Sequence, residues 1–212
     1  GGFGGKQTAS MEMYPAIVTL KTGRPARLVY SRGETFACTT TRHAMHLTVR
    51  LGADRDGTLR AVDIRCLADT GAYGEHAFTV FAAVSQKTLP LYGRARACRY
   101  RGHAVYTNRT PAGALRGYGA TQGAFALESA MNELAAKLGL DPIELRLHNL
   151  IDPGASHPLP AGATAGRPLV PATGSLYRCI ARGRELIGWE RKFPRVRVDA
   201  DRVRGYGMAV SM

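Results

Sequence analysis

Nine residues constrain this chain more than any others: Ala114-Leu115-Arg116-Gly117-Tyr118-Gly119-Ala120-Thr121-Gln122. Two glycines flank a tyrosine, an arginine precedes them, and a long helical pattern follows at once. A loop of this kind feeds into a helix start, where the first-turn N–H groups have no intrahelical acceptor and the helix dipole is positive. A second glycine-rich loop, Gly1-Gly2-Phe3-Gly4-Gly5-Lys6-Gln7, stands at the N-terminus. Two such loops, each opening a helix, suit the wrapping of an anionic cofactor in backbone N–H groups.

The apolar pattern predicts the elements around them. Met11, Tyr14, Ile17 and Val18 recur near helical spacing, so residues 8–23 read as a helix, interrupted at Pro15 and ended by Gly23 and Pro25. Arg27-Leu28-Val29-Tyr30 reads as a short strand. Met45, Leu47, Val49 and Leu51 alternate with polar residues, Asp54-Arg55-Asp56-Gly57 turns the chain, and Leu59, Val62, Ile64 and Cys66 return. That is an antiparallel hairpin with one buried face. Gly71-Ala72-Tyr73-Gly74 is a loop, 78–87 a short helix and 97–106 a strand. Leu127, Met131, Leu134 and Leu138 make one apolar stripe on a helix over 122–138, stopped by Gly139. Asp141 then caps a second helix with Pro142 in its first turn and Glu144 three residues after the cap. Residues 175–188 read as helical and 203–211 as a strand. The expected fold class is α+β, with antiparallel sheets and packed helices.

The chain has 212 residues and a net charge of +13. Its arginines are scattered and do not interleave with stacking aromatics, which argues against a nucleic-acid module. No apolar run approaches the ~20 residues of a membrane span. Cys38, Cys66, Cys98 and Cys179 form no Cys-x-x-Cys pair, so they read as buried reduced thiols of a cytoplasmic protein. His43, His46, His76, His103, His148 and His157 lack a third partner at ligand spacing, and no metal site is assigned to them. Glu128 sits two turns into the long helix and reads as an exposed carboxylate. Gln7 offers one acceptor and two donors to a small polar molecule. Arg116 adds a planar charge beside a helix start.

The two loops, in this order and at this separation, resemble those of the molybdenum-binding large subunit of the xanthine dehydrogenase and aldehyde oxidase family. Gly1-Gly2-Phe3-Gly4-Gly5-Lys6 is similar to that family's Gly-Gly-Gly-Phe-Gly-Gly-Lys loop. Ala114 to Gln122 is similar to its Ala-Phe-Arg-Gly-Phe/Tyr-Gly-x-Pro-Gln loop. Thr22-Gly23-Arg24-Pro25, Asp69-Thr70-Gly71-Ala72-Tyr73 and the run from Glu133 to Asn149 also fit.

The resemblance implies a segment of a larger molybdenum-hydroxylase subunit, and both ends of the chain read as cuts. It implies a molybdopterin-binding core segment over residues 1–152, a connecting loop over 153–174 and the start of a further lobe over 175–212. It implies oxidative hydroxylation of a heteroaromatic or aldehyde substrate at a molybdenum–molybdopterin centre, with iron–sulfur clusters and FAD on other domains or subunits. Gly2, Phe3, Gly4, Arg116 and Gly117 take the cofactor-contacting positions. Gln7, Arg116 and Tyr118 take the substrate-contacting ones, with Gln7 where purine-oxidising members carry Glu. Thr121 stands where the family has Pro. The family's catalytic Glu has no counterpart among these residues, so no catalytic residue is assigned. Two alternatives stay open: a catalytically degenerate scaffold subunit of such a complex, and a basic polyanion-binding module.

Overall fold

The computed structural model describes residues 2–9, 11–155 and 175–211. The elements are α1 (Met13–Thr22), α2 (Arg32–Cys38), β1 (Ala44–Ala53), β2 (Leu59–Asp69), α3 (Ala77–Gln86), a 3-10 turn (Leu89–Leu91), β3 (Ala97–Val105), α4 (Ala120–Leu138), α5 (Pro142–Asn149), α6 (Ser175–Ile187), α7 (Trp189–Lys192), β4 (Arg195–Arg197) and β5 (Val203–Gly205). The expected α+β mixture of helices and small sheets is present.

Strands β1, β2 and β3 form one sheet in that order. The turn between β1 and β2 is closed by Asp54 N–H to Thr58 O and Gly57 N–H to Asp54 O, both 3.0 Å. A link that short joins only antiparallel neighbours. β3 instead runs in the same direction as β2, a departure from the expected antiparallel sheet. Arg99 pairs with Asp63, 36 residues apart, and the Thr70 hydroxyl bonds Val105 O, 35 apart. Partners that advance together mean parallel strands, and the crossover carrying α3 supplies the long connection such a pair requires. β4 and β5 pair antiparallel, Arg195 opposite Gly205 and Arg197 opposite Val203.

The chain divides into two units. The first comprises Gly1–Thr48, Arg65–Val84 and Arg101–Gly123. Its core includes Cys66, Ala68, Val80, Val84, Ala112 and Ala114. Thr70 ties it together, since its N–H donates to Val105 O and its carbonyl accepts from Ala112 N–H, both at 2.9 Å. The second comprises Val49–Ile64, Ser85–Tyr100 and Ala124–Met212. Its core includes Leu59, Ile64, Leu127, Met131, Leu145 and Trp189.

In the second unit the expected stripe of α4 is buried at Leu127 and Met131 and half-buried at Leu134 and Leu138, with Ala135 buried beside it. Gly139, at φ 68°, stops the helix. Asp141 Oδ1 then accepts from Ile143 N–H at 2.7 Å and Glu144 N–H at 3.3 Å, the expected cap of α5. Glu128 departs from expectation. Its residue is 4 % exposed. Its carboxylate accepts from Tyr92 Oη at 2.5 Å, Arg146 Nε at 2.7 Å and Val210 N–H at 2.9 Å. A buried ionised group persists only with such partners. Burial and the neighbouring Glu128 carboxylate push the Tyr92 phenol well above its ordinary value.

Four further expectations change. Residues 27–30 form no strand, because Ser31 and Glu34 build a reciprocal capping box that starts α2 directly afterwards. The first helix is confined to Met13–Thr22, and β5 ends at Gly205 rather than continuing to 211. Cys66 is buried and Cys98 half-buried, but Cys38 and Cys179 are exposed. The connecting loop expected over 153–174 falls, from residue 156 onward, outside the described residues, as does His157.

Candidate functional site

The two glycine loops meet within the first unit. Gly5 N–H donates to Gly2 O at 2.9 Å and closes a turn in which Phe3 and Gly4 have φ of 50° and 89°. Glycine at position 4 is dictated twice, by that φ and by space. A Cβ there would lie 2.6 Å from Leu115 Cα and 2.7 Å from Leu115 N. The backbone of one loop thus rests on that of the other. The Arg116 guanidinium carbon lies 5.1 Å from the centre of the Phe3 ring, a cation–π distance, and Phe3 stays 61 % exposed. The Tyr118 hydroxyl donates to Gln7 Oε1. All the residues expected to contact cofactor or substrate are therefore brought together: Gly2, Phe3, Gly4 and Gln7 from one loop, Arg116, Gly117 and Tyr118 from the other.

Arg42, which sequence reasoning missed, holds the second loop from behind. Its guanidinium donates to Arg116 O at 2.7 Å, Tyr118 O at 2.8 Å, Thr121 Oγ1 at 2.8 Å and Gln122 Oε1 at 3.3 Å. In a trans peptide the N–H points opposite to the carbonyl. With the carbonyls of residues 116 and 118 turned to Arg42, the N–H groups of Gly117 and Gly119 face the other way. Gly117 at φ 83° and Tyr118 at φ 47° are consecutive left-handed residues directly ahead of α4. Gln122 Nε2 donates to His43 O at 3.1 Å. His43 is 2 % exposed, and neither ring nitrogen has a hydrogen-bond partner. Burial lowers its pKa, which keeps the imidazole neutral near pH 7.

A third segment reaches both loops. Glu75 accepts from the Thr8 hydroxyl, one residue past Gln7. His76 stacks on Tyr118 with ring centroids 6.1 Å apart and planes inclined by 29°. Phe3, His76 and Tyr118 are the non-glycine residues with positive φ among the described residues. Strained backbone of this kind concentrates at functional sites. Beside the loops opens a cavity of about 860 Å³, lined among others by Gly4, Thr8, Phe36, Arg42, Glu75 and Leu115. Among the described residues no three His, Cys, Asp or Glu side chains are grouped so as to hold a metal. No helix among them is long and apolar enough to cross a membrane.

A family model described as the molybdopterin cofactor-binding domain matches residues 1–150. The xanthine dehydrogenase molybdenum-binding subunit of Escherichia coli O157:H7 is 39% identical over 193 residues, which cover 91% of this chain and 25% of that protein. The nicotinate dehydrogenase large molybdopterin subunit of Eubacterium barkeri is 33% identical over 194 residues, covering 90% of this chain and 44% of that one. The solved aldehyde oxidoreductase of Desulfovibrio gigas superposes with a TM-score of 0.76 at 33% identity, over 90% of this chain and 20% of that one. The chain spans about a quarter of the length of the xanthine dehydrogenase subunit and under half of each of the other two. With the matched region covering both glycine loops and the helices behind them, the chain belongs to the molybdopterin cofactor-binding domain family.

Proposed function

We propose that this chain supplies one wall of the molybdopterin site in a molybdenum hydroxylase acting on a heteroaromatic or aldehyde substrate. The observation that carries the reading is the direct seating of Gly4 on the Leu115 backbone, which puts Phe3, Gln7, Arg116 and Tyr118 in one place. The donor set suits the cofactor. Backbone N–H groups at the start of α4 and the Arg116 guanidinium favour an anionic carrier. The described residues hold no group of metal-ligating side chains, so a metal that arrives with its own organic ligand fits this site.

In this reading Gly2, Phe3, Gly4, Arg116 and Gly117 hold the cofactor edge. Gln7 and Tyr118 orient the substrate ring, and Arg116 lies against both. Bound molybdopterin supplies the redox change, and iron–sulfur clusters and FAD on other domains or subunits carry the electrons away. Residues 1–152 form the cofactor-binding segment. The four free cysteines support a reducing, cytoplasmic setting.

Gln7 decides between substrate classes. A neutral amide gives an N–H-bearing ring a weaker partner than a carboxylate does, by about 1–2 kcal/mol. In the full-length subunit within its native complex, Gln7→Glu is expected to raise kcat/KM for xanthine relative to benzaldehyde by roughly tenfold. An unchanged ratio, or a native complex without molybdenum, refutes the reading.

A further inference from the structure

A short strip between α2 and β1, Thr41-Arg42-His43, backs the second loop along its length. Thr41 N–H donates to Pro111 O at 3.1 Å and Gly113 N–H donates to Thr41 O at 2.9 Å, so the strip runs parallel to the stretch that leads into the loop. At the far end His43 O accepts from Gln122 Nε2. Between these fixed ends the Arg42 guanidinium takes the carbonyls of Arg116 and Tyr118.

Those two carbonyls bracket the left-handed pair Gly117 and Tyr118. Each carbonyl fixes the plane of its peptide unit. The plane between them is held too, since Tyr118 N–H donates to Leu115 O at 2.8 Å and Ala120 N–H to Gly117 O at 3.0 Å. With the three planes pinned, the torsions of residues 117 and 118 are set. Glycine takes this conformation freely, but Tyr118 at φ 47° does not. Arg42 can impose it because hydrogen bonds from a charged donor are about twice as strong as neutral ones. From this backbone the loop reaches the first one, with the Arg116 guanidinium over the Phe3 ring and the Tyr118 hydroxyl on Gln7 Oε1. We propose that Arg42 is a positioning residue: by fixing the backbone at 117 and 118 it sets the poses of Arg116 and Tyr118 against the first loop. The inference rests on the reading of Arg116 and Tyr118 as cofactor and substrate contacts.

The test uses the full-length subunit in its native complex, with benzaldehyde and xanthine as substrates. In Arg42→Ala, amide hydrogen exchange over residues 114–123 is expected to rise roughly tenfold while the rest of the protein stays as it was, and KM for the substrate that the wild type oxidises to rise by a similar factor. Guanidinium ion added at millimolar concentration should reverse both. Arg42→Lys keeps the charge without the planar fork and should recover only part. Thr121→Val removes one acceptor of the same guanidinium, so it should loosen the loop in the wild-type background and change nothing further in Arg42→Ala. If Arg42→Ala fails to assemble, Arg42→Lys and Thr121→Val carry the comparison. Exchange over 114–123 that stays unchanged, or that rises evenly over the whole protein, overturns the proposal. So does a KM that stays put while the loop loosens. Should the wild-type complex oxidise neither substrate, the hydroxylase reading fails by itself. Exchange and its reversal by guanidinium then decide the positioning role: local loosening that guanidinium reverses supports it, and unchanged exchange overturns it.

Discussion

His43 is a titratable side chain that the fold holds in its uncharged form. It is almost fully buried, its ring nitrogens have no partner, and burial is the first cause of its lowered pKa, ahead of the opposing Asp69 carboxylate. The consequence has a definite sign. Above its unfolded value of 6.5 the imidazole is neutral in both states and costs nothing. Below that value the unfolded chain binds a proton that the folded chain refuses, so stability falls with pH. The loss continues down to the folded pKa and then levels off. Denaturant melts between pH 7.5 and pH 5 should show this slope, and His43→Gln should remove it; a slope that survives the substitution assigns it to other groups. Because His43 O holds Gln122 and its neighbour Arg42 holds the second loop, the same acid window should loosen that loop.

At the scale of elements, the junction after α4 depends on one carboxylate. Asp141 caps α5 through Oδ1, and its Oδ2 accepts the Trp189 indole N–H at 2.7 Å. Loss of the cap costs about 1 kcal/mol. Leaving the buried indole N–H unpaired costs about 1–3 kcal/mol more. Asp141→Ala is thus expected to destabilise the protein by about 2–4 kcal/mol, while Asp141→Asn, which keeps an acceptor for the cap, should lose about half as much. Chemical denaturation with tryptophan fluorescence reads both. The cap was legible in sequence because it is local: Asp141, Pro142 and Glu144 lie within one turn. The hairpin of β1 and β2, the stripe of α4 and the two glycine loops were legible for the same reason. Ser31 and Glu34, three residues apart, carry an equally local signal for α2. Arg42, Glu75 and His76 could not be read, since their partners lie between 42 and 80 residues away in the chain. Glu128 was misread because its partners come from three separate segments, and only their convergence buries it.

For the whole molecule, charge and length set the limits. On the proposed reading, a chain of net charge +13 that spans about a quarter of a molybdenum-binding relative would offer one wall of a site to an anionic cofactor. A one-sided surface retains a small ligand poorly, since tight sites enclose most of the ligand. The isolated 212-residue chain is therefore expected to carry substoichiometric molybdenum by elemental analysis, against full occupancy in the native complex; full occupancy of the isolated chain would place the whole binding energy in these loops.

The buried carboxylate of Glu128 also imposes an order on biosynthesis. Its partners arrive at residues 92, 146 and 210, the last 82 positions downstream. During synthesis, Glu128 and Arg146 can pair as soon as both have left the ribosome. The Val210 N–H closes the set only after residue 210 has emerged. Until then the second unit holds an ion pair one donor short, so its consolidation waits on this segment and not only on the helices that dominate its interior.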